Sequence, residues 1–220
     1  MRTSDASGGN WSRLHGGAGT GIRPPDAFEI AFTDNAGLKP ERSRSLDAGV
    51  EQALAGGRVI LDATWFANRY DDLIVAVGPA FADASRYRTD NISNARARGV
   101  ELSGAVRLPA GLSVRAGYTH LRTEILAVDG GTSAPPPFTV GQPLLRRPRH
   151  QGSIDLTYVG GRLDGFLRVA GRGDALDVDP SYGAFGGTLT APGFATTDLG
   201  ASWRPLARAR HAVFARVTNL

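Results

Sequence analysis

Asp174, Asp177 and Asp179 lie within one short stretch, spaced as oxygen donors for a hard cation such as calcium would be. They are weak metal candidates, because an acidic loop is more often simply solvated, and no metal site is expected from them. Asp71 and Asp72 form a poorer pair. His15, His120, His150 and His211 fall in separate segments, which favours solvated or interfacial imidazoles over a shared metal. With no Cys in the chain, disulfides, zinc knuckles and thiol nucleophiles are excluded. No Gly-x-Ser-x-Gly elbow or phosphate loop occurs, and Gly17-Ala18-Gly19-Thr20-Gly21 lacks the third glycine of a dinucleotide fingerprint. No catalytic residue and no cofactor is therefore assigned, and the chain does not read as an enzyme. Arg146, Arg147, Arg149 and His150 form the one tight basic cluster, without stacking aromatics beside it. Over the whole chain 25 basic and 21 acidic residues are interspersed in sign, so no nucleic acid is expected as a partner.

The elements that would position these residues show a period of two. Leu46, Ala48 and Val50 alternate with Ser45, Asp47, Gly49 and Glu51, leaving one face wet and one dry. The same pattern recurs in Val59, Leu61, Ala63 and Trp65; in Val100, Leu102, Val106 and Leu108; and in Leu112, Val114, Ala116 and Tyr118. It returns in Ile154, Leu156 and Tyr158, in Leu163, Leu167 and Val169, in Leu199, Ala201 and Trp203, and in Val213, Ala215 and Val217. With a weaker segment over 14–22, about nine strands are expected, each roughly 9 to 13 residues long.

Alternation alone does not separate a soluble sandwich from a membrane barrel, since both have one dry face. Connection length does. Tight turns at 53–57, 109–111, 160–161 and 205–207 alternate with long polar excursions at 24–42, 71–95, 123–149 and 172–195. In an up-and-down antiparallel sheet this puts every short turn at one end and every long loop at the other, as in outer-membrane barrels. The strands are also longer than the globular average and suit a tilted membrane crossing. Trp65, Tyr118, Tyr158 and Trp203 fall late in their apolar runs, where interfacial girdle residues sit. No stretch is long and apolar enough for a transmembrane helix. The first 14 residues have no apolar core of the kind a secretory signal needs.

Several motifs then resemble one family, the C-terminal barrel of TonB-dependent outer-membrane receptors. They are Gly19-Thr20-Gly21-Ile22-Arg23-Pro24-Pro25 with Phe28-Glu29, and Leu38-Lys39-Pro40-Glu41 before Ser45-Leu46-Asp47-Ala48-Gly49-Val50-Glu51. Asn94 with Ala97-Arg98-Gly99-Val100-Glu101 is similar to a returning strand, and Leu144-Leu145-Arg146-Arg147-Pro148-Arg149-His150 to the start of a later one in the cobalamin and siderophore branch. Val217-Thr218-Asn219-Leu220 resembles the approach to a further loop. The resemblance implies an all-β, antiparallel up-and-down transmembrane β-barrel, partial here, with short periplasmic turns and long extracellular loops. It divides the chain into a poorly structured start at 1–13 and a partial barrel at 14–220 that lacks the plug and the final strand. The implied location is the outer membrane of a Gram-negative bacterium. The implied function is TonB-energised uptake of a metal chelate (siderophore) or cobalamin, with a fragment of this size not expected to transport alone. The implied partners are outer-membrane lipid, the plug domain, the TonB system, and a small iron chelate or cobalamin. Since ligands in this family are captured by outer loops and the plug apex, the loop aromatics Phe81, Tyr87, Tyr182 and Phe185 are the ligand-binding candidates. A porin-like barrel, or a soluble secreted β-sandwich with a structural or adhesive role, is the alternative.

Overall fold

A computed structural model describes residues 9–32, 35, 37–79, 87–128, 139–178, 188–205 and 211–220. The chain runs β1 (Trp11–Arg23), α1 (Ala27–Phe32), β2 (Glu41–Leu54), β3 (Val59–Pro79), β4 (Tyr87–Arg107) and β5 (Leu112–Ala127). It continues through β6 (His150–Val159), β7 (Leu163–Arg172), β8 (Ala175–Val178), β9 (Thr188–Ala191), β10 (Phe194–Trp203) and β11 (Val213–Val217). Nine strands form one antiparallel sheet in the order β1-β2-β3-β4-β5-β6-β7-β10-β11, and β8 and β9 form a separate hairpin. Apart from that hairpin, chain order equals spatial order, the up-and-down meander that alternating short and long connections call for. Among the described residues β1 and β11 are not paired to each other, so both edges are open.

The register turns the period-two pattern into two continuous faces. Leu14, Val50, Ala63, Leu102, Tyr118, Gly152, Gly171 and Ala195 stand in one row across the sheet. The adjacent row, pointing the other way, is Arg13, Glu51, Asp62, Ser103, Gly117, Ser153, Ala170 and Thr196. A slip of one residue in any pair would exchange the faces, so the hydrophobic pattern itself holds the register.

Almost nothing in the sheet is buried by protein. Among the described residues the buried apolar ones are Ala53, Ile74, Ala95, Ala97, Ile125 and Ala175, four of them alanines, whereas Leu14 is 83% and Ile154 54% exposed. A β-sandwich would cover its dry face with a second sheet. Here no second sheet lies on that face among the described residues, so its large side chains need a hydrocarbon solvent. Trp65, Tyr118, Tyr158 and Trp203 are on this face and partly exposed. Trp65 and Tyr118 stand toward the long-connection end, and Tyr158 and Trp203 next to the short turns.

The tight turns are stereochemically specified. Ala55, Gly56 and Gly57 all take positive φ between β2 and β3. Between β4 and β5, Gly111 has φ of 81°, and a Cβ there would lie 1.9 Å from the Val159 carbonyl oxygen, so only glycine fits.

The long connections are more ordered than the composition suggests. The polar stretch at 71–95 is expected to be a loop, but β3 and β4 continue through it as a paired hairpin with Leu73 opposite Ile92 and Ile74 opposite Asn91. Register shifts next to Ala76 and Asn94 interrupt the alternation that marks a strand in sequence. Beyond the apolar band a strand needs no dry face, because water satisfies both sides. The stretch at 172–195 likewise holds the β8–β9 hairpin, and 24–42 holds α1. Asp26 and Glu29 cap α1 reciprocally: each backbone N–H donates to the other's carboxylate at 2.7 Å.

Candidate functional site

The wet face carries ion-paired ladders at both edges of the sheet. Near β1, Arg13 pairs with Glu51, and His15 Nε2 lies 2.9 Å from Asp62 Oδ2, which also accepts from Thr64 Oγ1 through Oδ1 at 2.9 Å. His15 reaches Asp62 by crossing over Gly49, where a Cβ would be 2.4 Å from the imidazole. The glycine inside β2 therefore admits a ring, a close approach that only a missing side chain allows. At the other edge Arg168 pairs with Asp155, Arg216 lies 3.6 Å from Asp198, and Arg204 lies 2.6 Å from Asp164 at the turns.

Between the ladders the same face forms a trough of about 580 Å³, bordered by Glu101, Thr119, Gln151, Arg172, Phe194 and Thr196. The Arg172 guanidinium sits 4.8 Å from the centre of the Phe194 ring. The trough combines two formal charges of opposite sign, an aromatic face and several hydroxyl or amide groups, and can engage a polar surface or a polar solute.

Above the trough, at the long-connection end, side chains tie the loops to the strands. Arg23 is bonded to Glu41 at 2.6 and 2.8 Å and to Glu29 at 3.0 Å through two nitrogens. These hydrogen bonds, with Glu41 first, raise the guanidinium above its ordinary pKa. Glu41 also accepts from the Ile74 N–H at 2.7 Å. Partial burial works to raise the Glu41 carboxyl, but its hydrogen bonds from Arg23 and Ile74 and the Arg23 charge together hold it below the ordinary 4.5. The buried Asn91 side chain accepts from Lys39 N–H at 2.9 Å and donates to the carbonyls of Lys39 and Asp72 at 3.1 and 2.6 Å. The Leu38-Lys39-Pro40-Glu41 segment is thus held by an amide from β4 and an arginine from β1. Ile125, Leu73, Val128, Leu144 and Leu145 supply a small apolar cluster beneath the 139–149 connection.

Of the ligand and metal candidates named from sequence, Phe81, Tyr182, Phe185 and Asp179 lie outside the described residues, and Tyr87 is described by its backbone alone. Asp174 accepts from the Gly193 N–H at 2.6 Å, and Asp177 accepts from Arg146 at 2.8 Å, so each serves the β8–β9 hairpin. Among the described residues no three acidic or imidazole side chains converge as a metal centre would require. The structure does bring His120 and His150 together as cross-strand partners on the dry face, ring centres 5.1 Å apart, with Tyr118 Oη 2.7 Å from His150 Nδ1. Sequence reading leaves them in separate segments because only the register places them opposite each other. Asn91 and the Arg23 cluster are missed for the same reason, although Asp26-x-x-Glu29 is a visible capping signal.

An open up-and-down meander with an uncovered dry face, a charged opposite face, short turns at one end and long connections at the other defines the wall of an outer-membrane β-barrel. Residues 8–220 match the family model described as TonB dependent receptor-like, beta-barrel, and the chain belongs to that family. Solved structures agree on the fold. The copper transporter OprC is 19% identical with a TM-score of 0.70, and covers 94% of this chain while the chain covers 31% of it. The ferric-catecholate import receptor Fiu of E. coli K12 is 16% identical with a TM-score of 0.66, covering 95% and 28%. The ferripyoverdine receptor of the Pseudomonas aeruginosa outer membrane is also 16% identical with a TM-score of 0.66, covering 95% and 27%. The chain therefore spans about three tenths of the length of these receptors. Comparison with curated protein sequences returns no match. Family membership places the chain among receptor barrels rather than enzymes, and in the outer membrane of a Gram-negative bacterium.

Proposed function

We propose that this chain forms part of the barrel wall of a receptor for TonB-energised uptake of a small metal chelate. The observation that carries the reading is the wet face: ion-paired ladders flank a polar trough with Glu101, Arg172 and Phe194 at its border. A mixed-sign wall of this kind suits a polar plug domain, which can form charged contacts across it without burying an unpaired ion. Solved structures of like fold include a copper transporter and ferripyoverdine and ferric-catecholate receptors, which favours a metal chelate over cobalamin as the cargo. Capture from outside falls to the long connections, with Phe81, Tyr87, Tyr182 and Phe185 as the aromatic contacts.

The test is uptake of labelled ferric and cupric chelates by cells that lack their own receptors and express the protein from its complete reading frame. Accumulation that requires both TonB and the proton-motive force is expected. Equal entry without TonB would replace the receptor by a diffusion pore.

A further inference from the structure

His120 on β5 and His150 on β6 face each other at the long-connection end of the dry face, and nothing in the barrel-wall reading uses them. The Leu121 N–H donates to the Arg149 carbonyl at 2.8 Å, which makes the two histidines a non-hydrogen-bonded pair. In that class of pair the Cα atoms are only about 4.5 Å apart and the side chains approach most closely. On the other side of β6, the His150 carbonyl accepts from the Gly173 N–H at 2.8 Å, so main-chain bonds on both sides fix this part of the strand.

The separation of the rings has a chemical meaning. Their centres are 5.1 Å apart and their planes are tilted by 45°. A transition ion bound by imidazole nitrogen at about 2.0 to 2.1 Å lies about 3.2 Å from the ring centre, so two rings this far apart subtend about 105° at an ion between them, close to a tetrahedral angle. Tyr118 supplies an orienting contact: its Oη is 2.7 Å from His150 Nδ1. Gly152, opposite Tyr118, has no side chain to hold the phenol back from β6. When His150 Nδ1–H donates to the phenol oxygen, the lone pair of Nε2 is free for a metal. His120 is half-buried and His150 exposed, so an ion can enter from the membrane boundary.

The charged neighbours on this face are Arg122, two residues along β5, and Arg98 opposite it. Calcium and magnesium, which are held by oxygen and by charge, gain nothing here, whereas imidazole coordination suits zinc, copper and nickel. We infer that His120 and His150 form a two-imidazole chelate for a divalent transition ion of the zinc class, with Tyr118 as the positioning residue and water in the remaining positions. Two imidazoles make a surface chelate rather than the closed centre that four protein ligands build. The ion joins β5 to β6 where the connection between them leaves and returns, so its binding clasps the base of that connection. The site rests on the register of these two strands and not on which solute is transported.

The test uses the receptor expressed from its complete reading frame with a tag free of histidine, folded in detergent and stripped of metal. Calorimetric titration with zinc alone reads the affinity, paramagnetic resonance with one equivalent of copper(II) counts the coordinating nitrogens, and heat-modifiable gel mobility reports the fold. Zinc binding undiminished by excess calcium and a copper spectrum with two imidazole nitrogens are expected. H120Q and H150Q should each lower zinc affinity at least tenfold, and the double change should add little, because either one breaks the chelate. Y118F should keep two nitrogens in the copper spectrum and bind zinc about tenfold more weakly, as loss of an orienting partner does. H211Q, at an exposed position on another segment, should match wild type. Undiminished zinc binding in H120Q or H150Q, equal loss in H211Q, or fewer than two nitrogens in the wild-type copper spectrum would each overturn the chelate, and unchanged affinity in Y118F would overturn the role of Tyr118. If a histidine variant fails to fold, amide exchange on the unaltered protein decides: saturating zinc should slow it about tenfold or more at 119–122 and 149–152, and no slowing there would overturn the assignment.

Discussion

Ile154 lies at the centre of the dry face, and replacing it with arginine tests the membrane assignment directly. On β6 the outward residues run from His150 to Tyr158, and Ile154 is midway between them. At about 3.4 Å per residue and a tilt near 45°, it lies roughly 10 Å along the membrane normal from each of these two residues, close to the midplane of an apolar band about 25 Å tall. Arginine at that depth costs about 2 to 4 kcal/mol, a shift of roughly 30- to 700-fold in the folding equilibrium. The matched change Gln151→Arg, at an exposed position on the wet face, should cost less than about 0.5 kcal/mol, because the guanidinium keeps its water. Urea titration of protein folded into phosphatidylcholine vesicles, followed by tryptophan fluorescence, measures both. If Ile154→Arg matched wild type within about 0.5 kcal/mol, or if Gln151→Arg were as costly, lipid would not be the solvent of this face.

Three further outcomes follow from the turns and the loop anchors. Gly111→Ala should lower stability by roughly 1 to 3 kcal/mol, since the positive φ and the Val159 carbonyl leave no room for a methyl group; the urea midpoint reads it. Asn91→Ala removes three hydrogen bonds that hold Lys39 and Asp72, so amide exchange at 37–41 should quicken by about tenfold or more while the sheet amides of β5–β7 stay protected. Glu41 has a folded pKa below its ordinary 4.5, so it binds fewer protons in the folded state. Its stabilising contribution is full above that value and is lost as pH falls through the lowered folded pKa. The stability gap between wild type and Glu41→Gln should therefore be constant from about pH 6 to 8 and shrink below about pH 4.5, and a gap that widened on acidification would refute the linkage.

Much of the fold is legible from alternation and connection length, because each strand's environment is two-sided and the two periods coincide. Leu46, Ala48 and Val50 against Asp47, Gly49 and Glu51 assign both faces of β2 before any coordinate is known. The extension of β3 and β4 past Asp71 is not legible. Outside the apolar band a strand carries no hydrophobic signature, and only main-chain pairing between Leu73 and Ile92 reveals it. The ligand candidates are likewise read as loop aromatics because no pattern orders a loop, whereas Asn91 is invisible as an anchor until the chain brings Lys39 against it.

By itself the sequence determined the strand count of the main sheet, the face taken by residues of the alternating segments, the ends at which turns and long connections gather, and the family. Periodicity and turn chemistry are local, and a barrel wall built from neighbouring hairpins needs little else. Tertiary structure decided which residues share a row. Arg42, Arg44, Arg69, Arg96, Arg98 and Arg122 come from four segments and look like scattered positive charges along the chain. Cross-strand register, a long-range property with no echo in local spacing, gathers them into one patch and sets His120 against His150.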